Sequence, residues 1–319
     1  WELVRLIIHW KRIQAVMMTK KMQHSSAVGI QCSVALSALG QSVDNIRRTL
    51  TSEENSLSLR DDLIAGRKVW VGAYNHPLIQ EVPEDLSGAD SRNLRFALTA
   101  LMRIEAEVHN YTAQFPKHRL AVIIGTSTSG VADNEPVLKA CFQKKILQGV
   151  WHKKQEMGCL AKALQQYLGW SGPAYTISTA CSSAAKAMAA GQRMLNANLV
   201  DAVLVGGVDT LCKLTLNGFD SLESLSTDIC QPCGASRDGI NIGEAAGLFL
   251  LSKESAPVCL LSTGESMDAW HISAPHPEGL GAIEAMRKAL EGAGLHSSDI
   301  DYLNLHGTST PQNDSMEIK

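Results

Sequence analysis

Apolar residues run unbroken from Leu120 to Ile124 and again from Ala202 to Val205, the pattern of strands buried on both faces. Helix-forming stretches lie between such blocks. The pattern predicts a strand over 27–36, a helix over 42–50 after a turn at Gly40, and one long helix over 91–113. Residues 136–164 read as helical with an interruption, 174–178 as a short strand carrying Tyr, Thr and Ile, and 182–197 as an Ala-rich helix without proline. Strands follow over 202–208 and 247–252. A helix over 280–291 then ends at Gly292 or Gly294, ahead of a strand at 301–305. Strands separated by helices predict an α/β protein with a largely parallel sheet covered on both sides.

The junction at Cys181 carries the first candidate chemistry. In Tyr175-Thr-Ile-Ser-Thr-Ala-Cys-Ser-Ser-Ala-Ala-Lys-Ala-Met a strand turns sharply into a helix, which places Cys181 at a helix N-terminus. Unpaired N–H groups and the helix dipole there favour an anionic thiolate and offer donors to a carbonyl oxygen. A cysteine with no such surroundings is more often a small core residue. The second candidate is His306, delivered by Asp301-Tyr-Leu-Asn-Leu to the polar loop His-Gly-Thr-Ser-Thr-Pro-Gln-Asn-Asp.

Thr-Ala-Cys-Ser-Ser followed far downstream by His-Gly-Thr-Ser-Thr-Pro is more specific than either half alone. From roughly Ala27 to its last residue the chain resembles a β-ketoacyl-[acyl carrier protein] synthase of the elongating, decarboxylating kind. The resemblance also covers Asp201-Ala-Val-Leu-Val-Gly-Gly-Val-Asp, Phe219-Asp-Ser-Leu-Glu-Ser-Leu-Ser, Ser236-Arg-Asp-Gly-Ile-Asn-Ile-Gly-Glu-Ala-Ala-Gly and Ser266-Met-Asp-Ala-Trp-His-Ile-Ser-Ala-Pro. It implies a thiolase-like, five-layered α/β/α/β/α fold with duplicated halves. The repeated string in Ile124-Gly-Thr-Ser-Thr and His306-Gly-Thr-Ser-Thr suits such a duplication. On this reading residues 1–22 are an extension outside the family, 23–253 form the first half with the nucleophile, and 254–319 begin the second.

The resemblance implies a mechanism as well. Cys181 would take an acyl chain from phosphopantetheine, and malonyl carrier protein would then lose CO2 to an enolate that attacks the Cys181 thioester, giving a 3-oxoacyl product two carbons longer. His306 would stabilise the enolate oxygen, and Thr308 and Thr310 would hydrogen-bond the pantetheine arm. Family members continue through a lysine, a second catalytic histidine and a Gly-Phe-Gly loop, none of which can be matched here. The second half is therefore expected to be incomplete, with Glu317 an acid lacking its lysine and condensation by this chain impaired. No organic cofactor or metal is implied, since phosphopantetheine arrives on the carrier protein. The partners implied are acyl carrier protein, acyl and malonyl thioesters, and a second synthase subunit in a homodimer or heterodimer.

Three other readings compete. A thiolase or an initiating ketosynthase also places Cys at a helix start, but the latter uses His and Asn, and neither normally carries His-Gly-Thr-Ser-Thr-Pro. A noncatalytic chain-length-controlling subunit shares the fold, but such subunits replace the nucleophile that Cys181 provides. An inactive remnant of the family is the third. The string Gly239-Ile-Asn-Ile-Gly-Glu-Ala-Ala is more similar to synthases of aryl-polyene-type clusters than to those of housekeeping fatty-acid synthesis.

Composition narrows the partners. The 319 residues are 45% hydrophobic and 19% charged with a net charge of −3, an ordinary globular balance without the basic stripe of a nucleic-acid binder. Eight cysteines without paired spacing point to a reducing compartment, hence the cytoplasm. Cys230-Gln-Pro-Cys233 has no second Cys-x-x-Cys or Cys/His pair to complete a zinc site, and His271 and His276 read as pocket-wall or surface residues. Trp1–Val16 is too short and too interrupted by charge for a membrane span, and it lacks a signal-peptide cleavage pattern. Lys144, Lys145, Lys153 and Lys154 flank Ile146-Leu-Gln-Gly-Val-Trp-His; they form either a solvated face or the contact for an acidic carrier protein.

Overall fold

Alternate residues of one strand, β4 (Leu120–Gly125), belong to different cores, which is why its sequence is apolar without interruption. The computed structural model describes residues 27–52, 55–143, 152–271 and 274–319; the N-terminal extension, Lys144 and Lys145 lie outside them. Leu120, Val122 and Ile124 enter one core, and Ala121 and Ile123 the other. Each fully buried Val or Ile contributes about 2 kcal/mol by leaving water.

Eight strands are described: β1 (Val28–Ser37), β2 (Ser58–Ile64), β3 (Arg67–Val71), β4, β5 (Ala174–Ile177), β6 (Ala202–Asp209), β7 (Ala245–Ser252) and β8 (Val258–Leu260). Six of them form one sheet in the order β5-β4-β6-β7-β1-β8. It is mixed rather than largely parallel. β4 runs parallel to β5 and β6, whereas β7 is antiparallel to both β6 and β1, and β8 is antiparallel to β1. The chain between β6 and β7 builds no crossover layer over the sheet. It packs instead on the β2–β3 hairpin, where Leu216 and Leu225 join Leu63, Ile64, Val69 and Val71.

The helices are α1 (Val43–Thr51), α2 (Arg92–Leu101), α3 (Glu105–Thr112), α4 (Val131–Phe142), α5 (His152–Gln155), α6 (Cys159–Leu168), α7 (Ser183–Asn196), α8 (Lys213–Ser221), α9 (Leu280–Ala293) and α10 (Pro311–Glu317). Ser42 and Ser91 start α1 and α2 by accepting the Asn45 and Leu94 N–H groups, both at 3.2 Å. The single helix expected over 91–113 is two. The turn tightens where Arg103 N–H bonds Ala100 O and Ile104 N–H bonds Leu101 O, which carries Ile104 into the core and leaves Met102 in solvent.

Helices α2, α3 and α6 cover one face of the sheet, and α7 covers the other. α7 is unusually close to its strands. A Cβ at Gly125 would lie 2.4 Å from the Ser183 carbonyl carbon, and one at Gly207 would lie 2.7 Å from the Ala184 Cβ. These glycines pair in register at the ends of β4 and β6, so together they form the seat for the first turn of α7.

After β8, residues 261–266 run along α7: Gln192 Nε2 donates to the carbonyls of Leu260 at 3.2 Å and Leu261 at 3.3 Å, and Thr263 Oγ1 donates to Gln192 Oε1 at 3.2 Å. α9 lies against this segment, with Lys288 Nζ on the Glu265 carbonyl at 3.0 Å and Ser266 Oγ on the Gly281 carbonyl at 2.7 Å. Glu265 binds Lys186 and Arg193 of α7 at 2.8 and 2.5 Å, and these hydrogen bonds, Lys186 first, hold its carboxyl below the usual range.

Two outcomes test this framework. Gly125→Ala should lower unfolding free energy in urea by about 3 kcal/mol through overpacking, while Gly218→Ala, with open space around its Cβ on α8, should be neutral or mildly stabilising. A neutral Gly125→Ala would contradict the seat. Because folding depresses the Glu265 carboxyl, its contribution is present above the ordinary carboxylate range and is lost as pH falls through the folded value. Glu265→Gln should therefore be less stable than the parent at neutral pH, with the gap closing in acid; a gap independent of pH would contradict the charge pairing.

Candidate active site

Cys181 occupies a strained corner. Ala180, the residue before it, has φ +52°, a left-handed conformation unusual for a residue with a side chain. Side chains on both sides brace the bend. Ser183 donates to the Ala180 carbonyl from both N–H (3.0 Å) and Oγ (2.6 Å), and its Oγ accepts Thr179 N–H at 2.9 Å. Ser182 Oγ donates to the Thr179 carbonyl at 2.9 Å. Ser183 is buried, but Cys181 is exposed. The bend thus presents the thiol outward at the point where β5 ends and α7 begins. Burial pushes the thiols of Cys159 and Cys230 up, and that of Cys32 to about 11.

Beside this corner runs the loop 126–130, the continuation of β4. Its Ser127 Oγ donates to the Ala180 carbonyl at 3.3 Å. Asp209, at the end of β6, accepts from the Thr126 and Thr128 hydroxyls and from the Ser127 and Thr128 N–H groups. The Lys154 carbonyl accepts Gly130 N–H at 3.0 Å and Ser129 Oγ at 3.1 Å, so α5 is tied to the same loop. Lys153 is exposed and Lys154 half-buried.

His306 stands on a different support. The strand expected at 301–305 is not formed: among the described residues this stretch has no ladder partner, and Tyr302 and Leu303 remain 48% and 58% exposed. An extended segment without a neighbour leaves its backbone groups to water or side chains. α10 organises the histidine loop instead. Glu317 accepts His306 N–H and Gly307 N–H, both at 2.7 Å, and the Asn313 amide at 3.0 Å. Glu317, expected to lack its lysine, is engaged by these three uncharged donors. Thr308 and Thr310 share a hydroxyl hydrogen bond of 2.8 Å. The structure therefore gathers His306, Thr308, Thr310 and Glu317 into one loop-and-helix unit, and sets Cys181 on the β5–α7 corner.

Asp314, to which the sequence assigned no role, fixes that unit to the rest of the molecule. Fully buried, it accepts Ser309 N–H at 3.1 Å and Cys233 N–H at 2.6 Å, while Ser309 Oγ accepts Gln231 N–H at 2.9 Å. The Cys230–Cys233 turn is thus the platform on which the histidine loop docks. Glu244 was missed in the same way. Buried, it binds Arg92 and accepts the Tyr74 and Leu211 N–H groups, joining α2 to the loop that follows β6. His276 lines a cleft beside α9 with Trp270, Asp268 and Lys288, its ring edge-on to Trp270 at 4.6 Å. No described helix is long and apolar enough to cross a membrane.

Known proteins resemble this chain. The family model described as the beta-ketoacyl synthase N-terminal domain matches residues 85–256, and the one described as its C-terminal domain matches 259–319. Nodulation protein E of Rhizobium meliloti is 32% identical over 212 residues, which are 62% of this chain and 52% of that protein. The 3-oxoacyl-[acyl-carrier-protein] synthase 2 of Staphylococcus aureus is 35% identical over 166 residues, 48% of this chain and 41% of that protein. The chain thus spans about half the length, or less, of these curated relatives. Among solved structures, a ketosynthase (ApeO) in complex with its chain length factor (ApeC) from Xenorhabdus doucetiae superposes with a TM-score of 0.87 at 42% identity, covering 91% of this chain and 74% of that one. The ishigamide ketosynthase/chain length factor, at 22% identity and a TM-score of 0.81, shows the shared fold. Since the N-terminal family model alone takes in more than half of the residues, and carries the cysteine corner within it, this chain belongs to the beta-ketoacyl synthase family.

Proposed function

We propose that the chain acts as a decarboxylating ketosynthase, with Cys181 as the acyl acceptor. The observation that carries this reading is the exposed thiol on a braced, strained strand-to-helix corner within a beta-ketoacyl synthase sequence. In the first half-reaction the Cys181 thiolate attacks the carbonyl of an acyl thioester, and the phosphopantetheine thiol departs with a proton. In the second, a malonyl thioester loses CO2, the resulting carbanion forms a carbon–carbon bond to the acyl carbonyl, and Cys181 sulfur leaves as thiolate. The product is a 3-oxoacyl thioester.

His306 is assigned as a donor to the enolate oxygen, since Glu317 fixes its backbone and that of Gly307. Thr308 and Thr310 are assigned to the pantetheine arm, their paired hydroxyls keeping acceptor sites free. Lys153, and with it Lys154 on the same short helix, is assigned to contact an acidic carrier protein, because α5 is tied through the Lys154 carbonyl to the loop beside Cys181. Lys144 and Lys145 belong to the same proposal from sequence alone. No metal or organic cofactor enters these steps. Similarity, at 42% identity, to a ketosynthase solved in complex with its chain length factor, together with the 239–246 string, favours a heterodimeric, aryl-polyene-type polyketide system over housekeeping fatty-acid synthesis, and the unpaired cysteine spacing favours the cytoplasm.

Acylation separates this reading from a noncatalytic subunit or an inactive remnant. Incubated with an acyl carrier-protein thioester, the chain should gain one acyl group, mapped by mass spectrometry to Cys181 and absent from Cys181→Ala. No adduct, or one on another cysteine, would overturn the proposal.

A further inference from the structure

We infer that Asp209 is a positioning residue for Cys181, acting through the loop 126–129. The inference rests on the reading of Cys181 as nucleophile and adds to it a part of the site that lies on another strand.

All four donors to Asp209 converge on one oxygen, Oδ1: Thr126 Oγ1 at 2.9 Å, Ser127 N–H at 2.7 Å, and Thr128 N–H and Oγ1 both at 3.0 Å. Further hydrogen bonds close the loop on itself and on the end of β6, and Thr126 N–H donates to the Ile177 carbonyl of β5 at 3.1 Å. Thr126 Oγ1 accepts Ser129 N–H at 3.1 Å, and Thr128 Oγ1 accepts Thr210 N–H at 3.1 Å. Ser129 is held at φ +47°, a conformation that needs such fixing. Thr126, Thr128 and Ser129 are buried, so the loop is a rigid bracket rather than a solvated turn.

One polar group of the bracket reaches across to the nucleophile. Ser127 Oγ donates to the Ala180 carbonyl, which already receives Ser183 N–H and Oγ. Ala180 C=O and Cys181 N–H belong to one planar peptide unit, so a carbonyl held by three donors also fixes where the Cys181 N–H points. Release of the bracket would remove the donor on the strand side and let the left-handed Ala180 relax. Asp209 thereby sets the direction of the thiol's own peptide plane without touching the thiol.

The single-oxygen geometry gives the test. Asn at 209 offers the same acceptor atom without the charge, whereas Ala offers none. The rate of iodoacetamide alkylation at Cys181, measured by peptide mass spectrometry relative to exposed Cys233 in the same molecules, needs no acyl substrate. Failure of acyl transfer would therefore sink the proposed function without touching this result. Asp209→Ala should slow Cys181 alkylation about tenfold against Cys233, Asp209→Asn should stay within about twofold of the parent, and Ser127→Ala should show about a threefold loss. An unchanged ratio in Asp209→Ala overturns the inference, as does an Asp209→Asn variant that falls as far as Ala. Should Asp209→Ala not fold, Ser127→Ala decides: an unchanged Cys181 rate overturns the bracket.

Discussion

The approach of the α7 N-terminus to the ends of β4 and β6 is the constraint on which the rest of the site depends. Gly125 and Gly207 leave no Cβ between strand and helix, so the first turn of α7 sits directly on the sheet. That seat fixes where the strand-to-helix bend must occur, and the bend fixes Cys181. The small residues Ala187 and Ala190 continue the close packing along the helix and share a core with Val203, Val205 and Leu251. A larger side chain anywhere along this contact would lift the helix and move the thiol.

Carboxylates, buried at Glu244 and Asp314 and half-buried at Asp209, do for the loops what the glycines do for the helix. Asp209, Glu244 and Asp314 each collect several donors, two of them backbone N–H groups that irregular segments cannot satisfy among themselves. Each loop is thereby held without regular secondary structure. The Cys181 bracket, the link from α2 to the chain beyond β6, and the histidine loop use one device at three places. Removal of any one acid would leave buried donors unpaired, a larger loss than the net worth of the bonds.

Much of this was legible in the sequence, and the parts that were not have a common cause. Continuous apolar runs marked β4 and β6, and the change from a Thr- and Ile-bearing strand to an alanine helix marked the corner at Cys181, because these signals are local. The direction of β7 was not local: it depends on where the chain between 210 and 244 spends its apolar residues. The β2–β3 hairpin was hidden by its charged residues, since only Leu63, Ile64, Val69 and Val71 face the small core it shares with α8. The strand expected before His306 shows the converse, an apolar alternation that forms no ladder because no described strand lies beside it. Buried acids escaped notice because a sequence does not say which aspartate will be enclosed by its neighbours.

Exposure alone does not distinguish Cys181, since Cys141 and Cys233 are exposed as well. What sets it apart is the braced corner at the head of a seated helix. The most direct test treats the folded, otherwise unmodified chain with substoichiometric iodoacetamide and maps all eight cysteines by mass spectrometry, then repeats the reaction in urea. The structure predicts that Cys181 is modified first in the folded protein and loses that advantage when unfolded. Modification of Cys141 or Cys233 at the same rate as Cys181 in the folded protein would contradict it, and would leave the corner as a packing feature without consequence for reactivity.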